Sequence, residues 1–306
     1  MMDTIVLLIR LVSFAILLCS SVVISFRSLL SFILFVGTIY LTGKLYPDST
    51  TAQPNPFKRR GKIKDVDPTD NAAFAEKILD FVSYDAASSA VLDHFLPVQK
   101  NTECIFARTA KIWAAKPFIR ALPLKANVER SIPMFIKFIN VARSLHLDGF
   151  VFELPHQEFG ESPKTFGRGI RRLLKCLSDH DPAGRKCMDR SYIDKRGWYF
   201  EFDNESIFVT TFAPCYTSCH SRYAFGAKGC FILFQPDFSF ATHDIGADTP
   251  HTNWESPSTV RDKIRVAYKN AGRPYTIRDT VYYPPAHDIV KPLQLHDPPV
   301  EWWKDE

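Results

Sequence analysis

Glycine is sparse in this chain, 13 residues in 306, and it is not gathered where nucleotide chemistry would need it. No GxGxxG element follows a strand-like run; Gly167-Arg168-Gly169 lacks the third glycine and precedes a helix rather than a phosphate-binding turn. P-loop, HExxH and GxSxG patterns are missing too, which removes the sequence grounds for an NTPase, a zinc protease or an α/β-hydrolase. The seven cysteines, six of them in the body, do not form the regular array of a secreted disulfide framework, so free thiols in a reducing compartment are the simpler account. An excess of positive charge is lacking beyond the N-terminal end. Residues 68–306 hold 30 Lys+Arg against 29 Asp+Glu, so almost all of the net +5 arises before them and a nucleic-acid-binding body is disfavoured.

Charge of either sign is nearly absent from residues 1–46, which contain only Asp3, Arg10, Arg27 and Lys44. Crossing a bilayer takes about 20 apolar residues, so this stretch reads as a membrane anchor of one helix or a helical hairpin. A cleaved secretory signal is a third reading, but its apolar core is normally shorter and ends in small residues. Residues 47–69 form a polar linker with Lys58, Arg59, Arg60, Lys62 and Lys64, which places the following domain on the cytoplasmic side and offers cations to lipid headgroups. With 25 Phe, 11 Tyr and 5 Trp, the chain has ample apolar material for one large core in residues 70–306, which excludes disorder and disulfide-dependent miniature folds. The Asn204-Glu205-Ser206 sequon falls at an expected turn and reads as chance.

Along this body, Phe74, Ile78, Phe81 and Val82 mark a helix, in a region expected to end at Pro97. Cys104 to Arg108 reads as a strand. Ile132, Phe135, Ile136, Ile139 and Ala142 form the stripe of a second helix, and Ile170, Leu173, Leu174 and Leu177 that of a third. Gly149 to Leu154 and Cys230 to Phe234 read as strands, and Trp198 to Asp203 with Ile207 to Phe212 as a hairpin turning through Asn204-Glu205-Ser206. Thr259 to Ala271 reads as a helix stopped by Gly272. Helices and strands alternate without a βαβ period, so the expected fold is α+β, a mixed, mostly antiparallel sheet flanked by helices.

The densest chemistry lies in Ala213 to Tyr223, where Cys215, Cys219, His220, Arg222, Tyr216 and Tyr223 crowd a loop after a strand. Zinc at Cys215, Cys219 and His220 would need adjacent ligands and lacks a second pair, and covalent haem attachment wants C-x-x-C-H rather than three intervening residues. A Cys-His catalytic pair is open, as is a plain packing role for the thiols.

Cys104-Ile-Phe-Ala-Arg108, Trp198-Tyr-Phe-Glu-Phe202, Phe208 to Tyr216, Ser221-Arg222 and Phe231-Ile-Leu-Phe-Gln-Pro236 occur in an order that resembles the YqcI/YcgG family, over roughly residues 70–303. Relatives of that family include the arginine N-hydroxylase of D-cycloserine biosynthesis and the N-hydroxylase of guanitoxin biosynthesis. The resemblance therefore implies haem b and oxygen chemistry on the nitrogen of a guanidino or amino compound, with electrons from a separate reductase because the chain has no flavin or nicotinamide motif. Under that reading His220 is the first choice for the iron, with Cys215 second. Arg108 and Arg222 would meet the propionates, and Glu201, with Asp203 sharing its face, would hold a cationic substrate. Phe200, Phe202, Phe208 and Trp198 are expected in the core, and the histidines at 94, 146, 156, 180, 243 and 251 have no motif around them. Two other readings stand beside it: a non-catalytic haem-binding or sensing module, and a metal-free enzyme using Cys215 or Cys104.

Overall fold

The computed structural model describes residues 82–245, 252–273, 284–294 and 296–304. All of them belong to the unit Ala72–Glu306. The expected membrane anchor, the linker and nearly all of the Phe74–Val82 helix lie outside these residues, and no described helix is long and apolar enough to cross a membrane.

Five strands, β1 (Ile112–Ala114), β2 (Gly149–Pro155), β3 (Phe200–Phe202), β4 (Glu205–Phe212) and β5 (Gly229–Pro236), form one sheet in the order β1-β2-β5-β4-β3. Only β1 pairs in parallel, with β2; the other three pairings are antiparallel. The α+β expectation therefore holds for the body. β5 is buried along all eight residues, as a central strand covered on both faces must be.

Among the described residues the α-helices are α1 (Ala90–Asn101), α2 (Leu124–Glu129), α3 (Ile132–Leu145), α4 (His156–Phe159), α5 (Pro163–Asp179), α6 (Asp237–Thr242), α7 (Val260–Asn270) and α8 (Ala286–Ile289). Strand alternation divides the core. On the first face, Phe135 of α3 sits 5.2 Å from Phe150, 5.2 Å from Phe234 and 4.8 Å from Phe202, ring centre to ring centre. The second face carries Val151, Phe212, Phe231 and Leu233, covered by Val91, Phe95 and Val98 of α1. Gly167 and Gly169 of α5 serve packing. A Cβ on Gly167 would come within 2.9 Å of Trp302 Cβ, and one on Gly169 within 2.7 Å of the Phe159 ring.

Several expectations are corrected. Pro97 does not end the chain's first described helix; it lies inside α1, which continues to Asn101 because Phe95 and Val98 are buried on the sheet on either side of it. Burying two such side chains offsets the roughly 3 kcal/mol that an interior proline costs. Cys104 to Arg108 is a run of turns rather than a strand, with the Gln99 amide donating to the carbonyls of Ala107 (3.2 Å) and Ala110 (3.0 Å). The hairpin turns one residue earlier than expected. Asp203 and Asn204 both take positive φ (51° and 63°), the two-residue turn whose twist matches that of the strands, and Glu205 and Ser206 already belong to β4.

Candidate functional site

Three of the sequence-predicted residues, Cys215, His220 and Arg222, lie in the β4–β5 connection, where His220 and Arg222 hold the segment around α8. The Tyr216 hydroxyl donates to the Lys291 carbonyl (2.8 Å), the Arg222 guanidinium to the Asp288 carbonyl (2.8 Å) and the Thr211 hydroxyl to the Ile289 carbonyl. His220 stacks on Tyr216 with ring centres 4.3 Å apart. Its Nε2–H donates to the Pro292 carbonyl (3.1 Å), and its Nδ1 accepts from the backbone N–H of Arg222 (3.0 Å). Because a carbonyl only accepts and an N–H only donates, these two bonds fix the tautomer and occupy both ring nitrogens.

This arrangement does not fit the haem roles assigned to these residues. His220 has no nitrogen left for iron. The Cys215 thiol is pushed up to about 11 by burial, so a free nucleophilic thiolate is disfavoured there. Burial likewise pushes the Cys104 thiol up. Arg222 is 2% exposed and spends its Nη2 on the Asp288 carbonyl, and its Nε is buried with no partner among the described residues, so its guanidinium is not presented to a propionate. The connection is a clamp for the chain's C-terminal segment.

Burial, with Arg222 and Lys291 adding positive charge, pushes the His220 imidazole down to about 4. A histidine depressed in the fold contributes stability that is present above its ordinary pKa of about 6.5 and is lost as pH falls towards the folded value. Urea unfolding of the intact chain should therefore show a drop of order 2 kcal/mol between pH 7 and pH 4 from this residue, after allowance for its partial exposure. His220→Gln should show a correspondingly smaller drop; equal slopes for both proteins would refute the assignment.

Glu201 does point away from Phe200 and Phe202, which are buried in the first-face core with Trp198, but it pairs with Arg190 and is not free to bind a cation. Asp203 sits in the hairpin turn, where its carboxylate accepts from Asn140 (3.2 Å). Phe208 is the exception among the expected core rings. It faces the second side, half-buried, 5.7 Å from Phe240.

That second face carries a constellation with no local sequence signal. Asp148 lies at the entrance of β2 and His243 just after α6, and the antiparallel β2–β5 pairing sets the start of one strand beside the end of the other. One oxygen of Asp148, Oδ1, accepts from His243 Nε2 (2.7 Å) and from the Ser239 hydroxyl (2.9 Å), while Oδ2 accepts from the Lys111 backbone N–H (2.8 Å). Ser239 thus donates to the carboxylate and not to the imidazole, so this is no serine-hydrolase triad. The Asp148 side chain is 6% exposed and that of His243 33%. With Nε2 committed, the neutral ring keeps its lone pair on Nδ1, which has no hydrogen bond among the described residues. Phe106 meets the imidazole edge-on at 4.4 Å and lies 6.3 Å from Phe240. Arg108, two residues beyond Phe106 on the same turn, is exposed.

A buried carboxylate that fixes one imidazole nitrogen and leaves the other open beside a partly exposed aromatic surface is a pairing that metal-bound histidines commonly use. Asp148 and His243 are therefore chemically suited to the role that His220 cannot fill, and Arg108 is the cation nearest in the chain to their aromatic wall. The pairing spans 95 residues. Motif spacing could not reveal it.

No curated protein and no solved structure matches the chain. The family model described as "YqcI/YcgG family" matches residues 95–270, a span that contains Asp148, His243, Phe106 and the β4–β5 connection. The chain belongs to the YqcI/YcgG family.

Proposed function

We propose that the protein is a membrane-anchored, haem-dependent monooxygenase that N-hydroxylates a small guanidino or amino compound, with His243 as the imidazole offered to the iron. The observation that carries this reading is the Asp148–His243 hydrogen bond, which leaves Nδ1 available within the family-matched part of the chain. Substrate class and cofactor come from the family resemblance. The anchor and the cytoplasmic placement come from the apolar first 46 residues and the basic run after them.

When bound, haem would supply the oxygen activation, with electrons from a separate reductase. The chain's own groups would do the rest. Asp148 accepts the hydrogen bond from Nε2–H and holds the ring in one orientation, which raises the basicity of the opposite nitrogen. Phe106, Phe208 and Phe240 exclude water from that side, and Arg108 offers a fixed cation to a carboxylate. None of these roles needs a reactive thiol, which suits the elevated thiol pKa values of Cys104 and Cys215.

The test starts from full-length chain recovered by fractionation and reconstituted with haem. The expected results are sedimentation with membranes, a Soret band, and a product one oxygen heavier when arginine or a related amine is supplied with oxygen and reductant. Haem binding without any such product would favour the sensing reading, and absence of a Soret band would overturn the haem reading altogether.

A further inference from the structure

A separate group of side chains lies where α2 meets the end of α5. Glu129 closes α2, while Cys176 lies in the last turn of α5 and His180, four residues on, caps its C-terminus. The ligand atoms of these three residues all lie within 4.8 Å of one another. His180 Nδ1 is 2.8 Å from the Cys176 carbonyl, which only accepts, so the ring proton sits on Nδ1 and the lone pair of the neutral ring on Nε2.

That lone pair faces Glu129 Oε1 across 3.6 Å. The gap is long for a hydrogen bond, yet it is close to the spacing of two ligands on one tetrahedral zinc, about 3.4 Å for bonds of about 2.0–2.1 Å. The third atom, Cys176 Sγ, has only a 3.9 Å contact with the Lys125 carbonyl. Cys176 is 5% exposed, whereas the His180 and Glu129 side chains are 40% and 39% exposed, so the group has a buried floor and a side open to solvent. Lys125 pairs with Glu129 at 3.8 Å but is 73% exposed, and so loose a surface pair is easily displaced.

We propose that Glu129 Oε1, Cys176 Sγ and His180 Nε2 form a zinc site, with water as the fourth ligand. Binding forms one bond from each group to Zn2+ and releases the Cys176 thiol proton to solvent. The resulting thiolate and carboxylate balance the charge of the ion, and the sulfur selects zinc over magnesium or calcium. The ion would tie α2 to the last turn of α5. This site is independent of the proposed haem chemistry.

The experiment uses the intact full-length chain, stripped with chelator and titrated with Co2+ and then with Zn2+ against a chromophoric chelator. One equivalent of Co2+ should give thiolate-to-metal absorption in the near ultraviolet, lost in Cys176→Ser, and Zn2+ should displace it. His180→Gln and Glu129→Gln alter exposed positions, so the fold survives them, and each should weaken Zn2+ binding more than tenfold. Zn2+ affinity unchanged in both variants, or a Co2+ complex without the thiolate band, would overturn the site.

Discussion

His243→Ala should abolish the Soret band of the haem-reconstituted chain, while His220→Ala should leave the band in place and cost only stability. The physical case rests on which nitrogens are free. Both ring nitrogens of His220 are bound to backbone groups, whereas His243 gives one to Asp148 and retains the other. Asp148→Asn tests the same arrangement through the group that holds the His243 ring. An amide in place of the carboxylate no longer favours the bound tautomer, and outer-shell changes of this kind cost about 10–100-fold in metal affinity or activity. Circular dichroism on each variant separates loss of cofactor from loss of fold. A band lost in His220→Ala and kept in His243→Ala would return the ligand role to the β4–β5 connection and refute the one proposed here.

The second large effect concerns stability. Phe135→Ala should destabilise the body by about 3–5 kcal/mol, a large part of the roughly 5–15 kcal/mol that holds a typical domain folded. Phe135 is fully buried, and its ring meets those of Phe138, Phe150, Phe152, Phe202 and Phe234, so the deletion weakens the packing of α3 on three strands at once. Phe208→Ala, at a half-buried ring on the other face, should cost much less. Urea denaturation of both variants measures the contrast; comparable losses would show that the first-face cluster does not dominate the core.

Periodicity was a good guide wherever one face of an element had to be buried. The stripes through Ile132 to Ala142 and Ile170 to Leu177 correspond to α3 and α5, and the runs at Gly149 and Cys230 to the central strands. It misled where a short apolar run had another source. Cys104 to Arg108 has the composition of a strand, but Phe106 alone among those residues is buried, and the carbonyls nearby go to Gln99. Pro97 reads as a stop because local propensity says nothing about the sheet that Phe95 and Val98 reach. β1 was missed entirely, being three residues long and made a strand by its pairing with β2.

The family, the class of fold and the apolar character of the N-terminal end were decided by the sequence alone, because order of motifs, hydrophobic period and charge are properties of neighbours along the chain. The roles of the polar groups were decided only by the tertiary structure. The crowded Cys215–Arg222 loop carries every mark of a reactive site, yet its imidazole, phenol and guanidinium are spent on the carbonyls of residues 288–292, which no local pattern links to it. Asp148 and His243, unremarked in the sequence, meet because β2 and β5 run antiparallel. A hydrogen bond consumes the lone pair or proton that chemistry would use, and over such separations the fold alone determines which groups are left with one to spare.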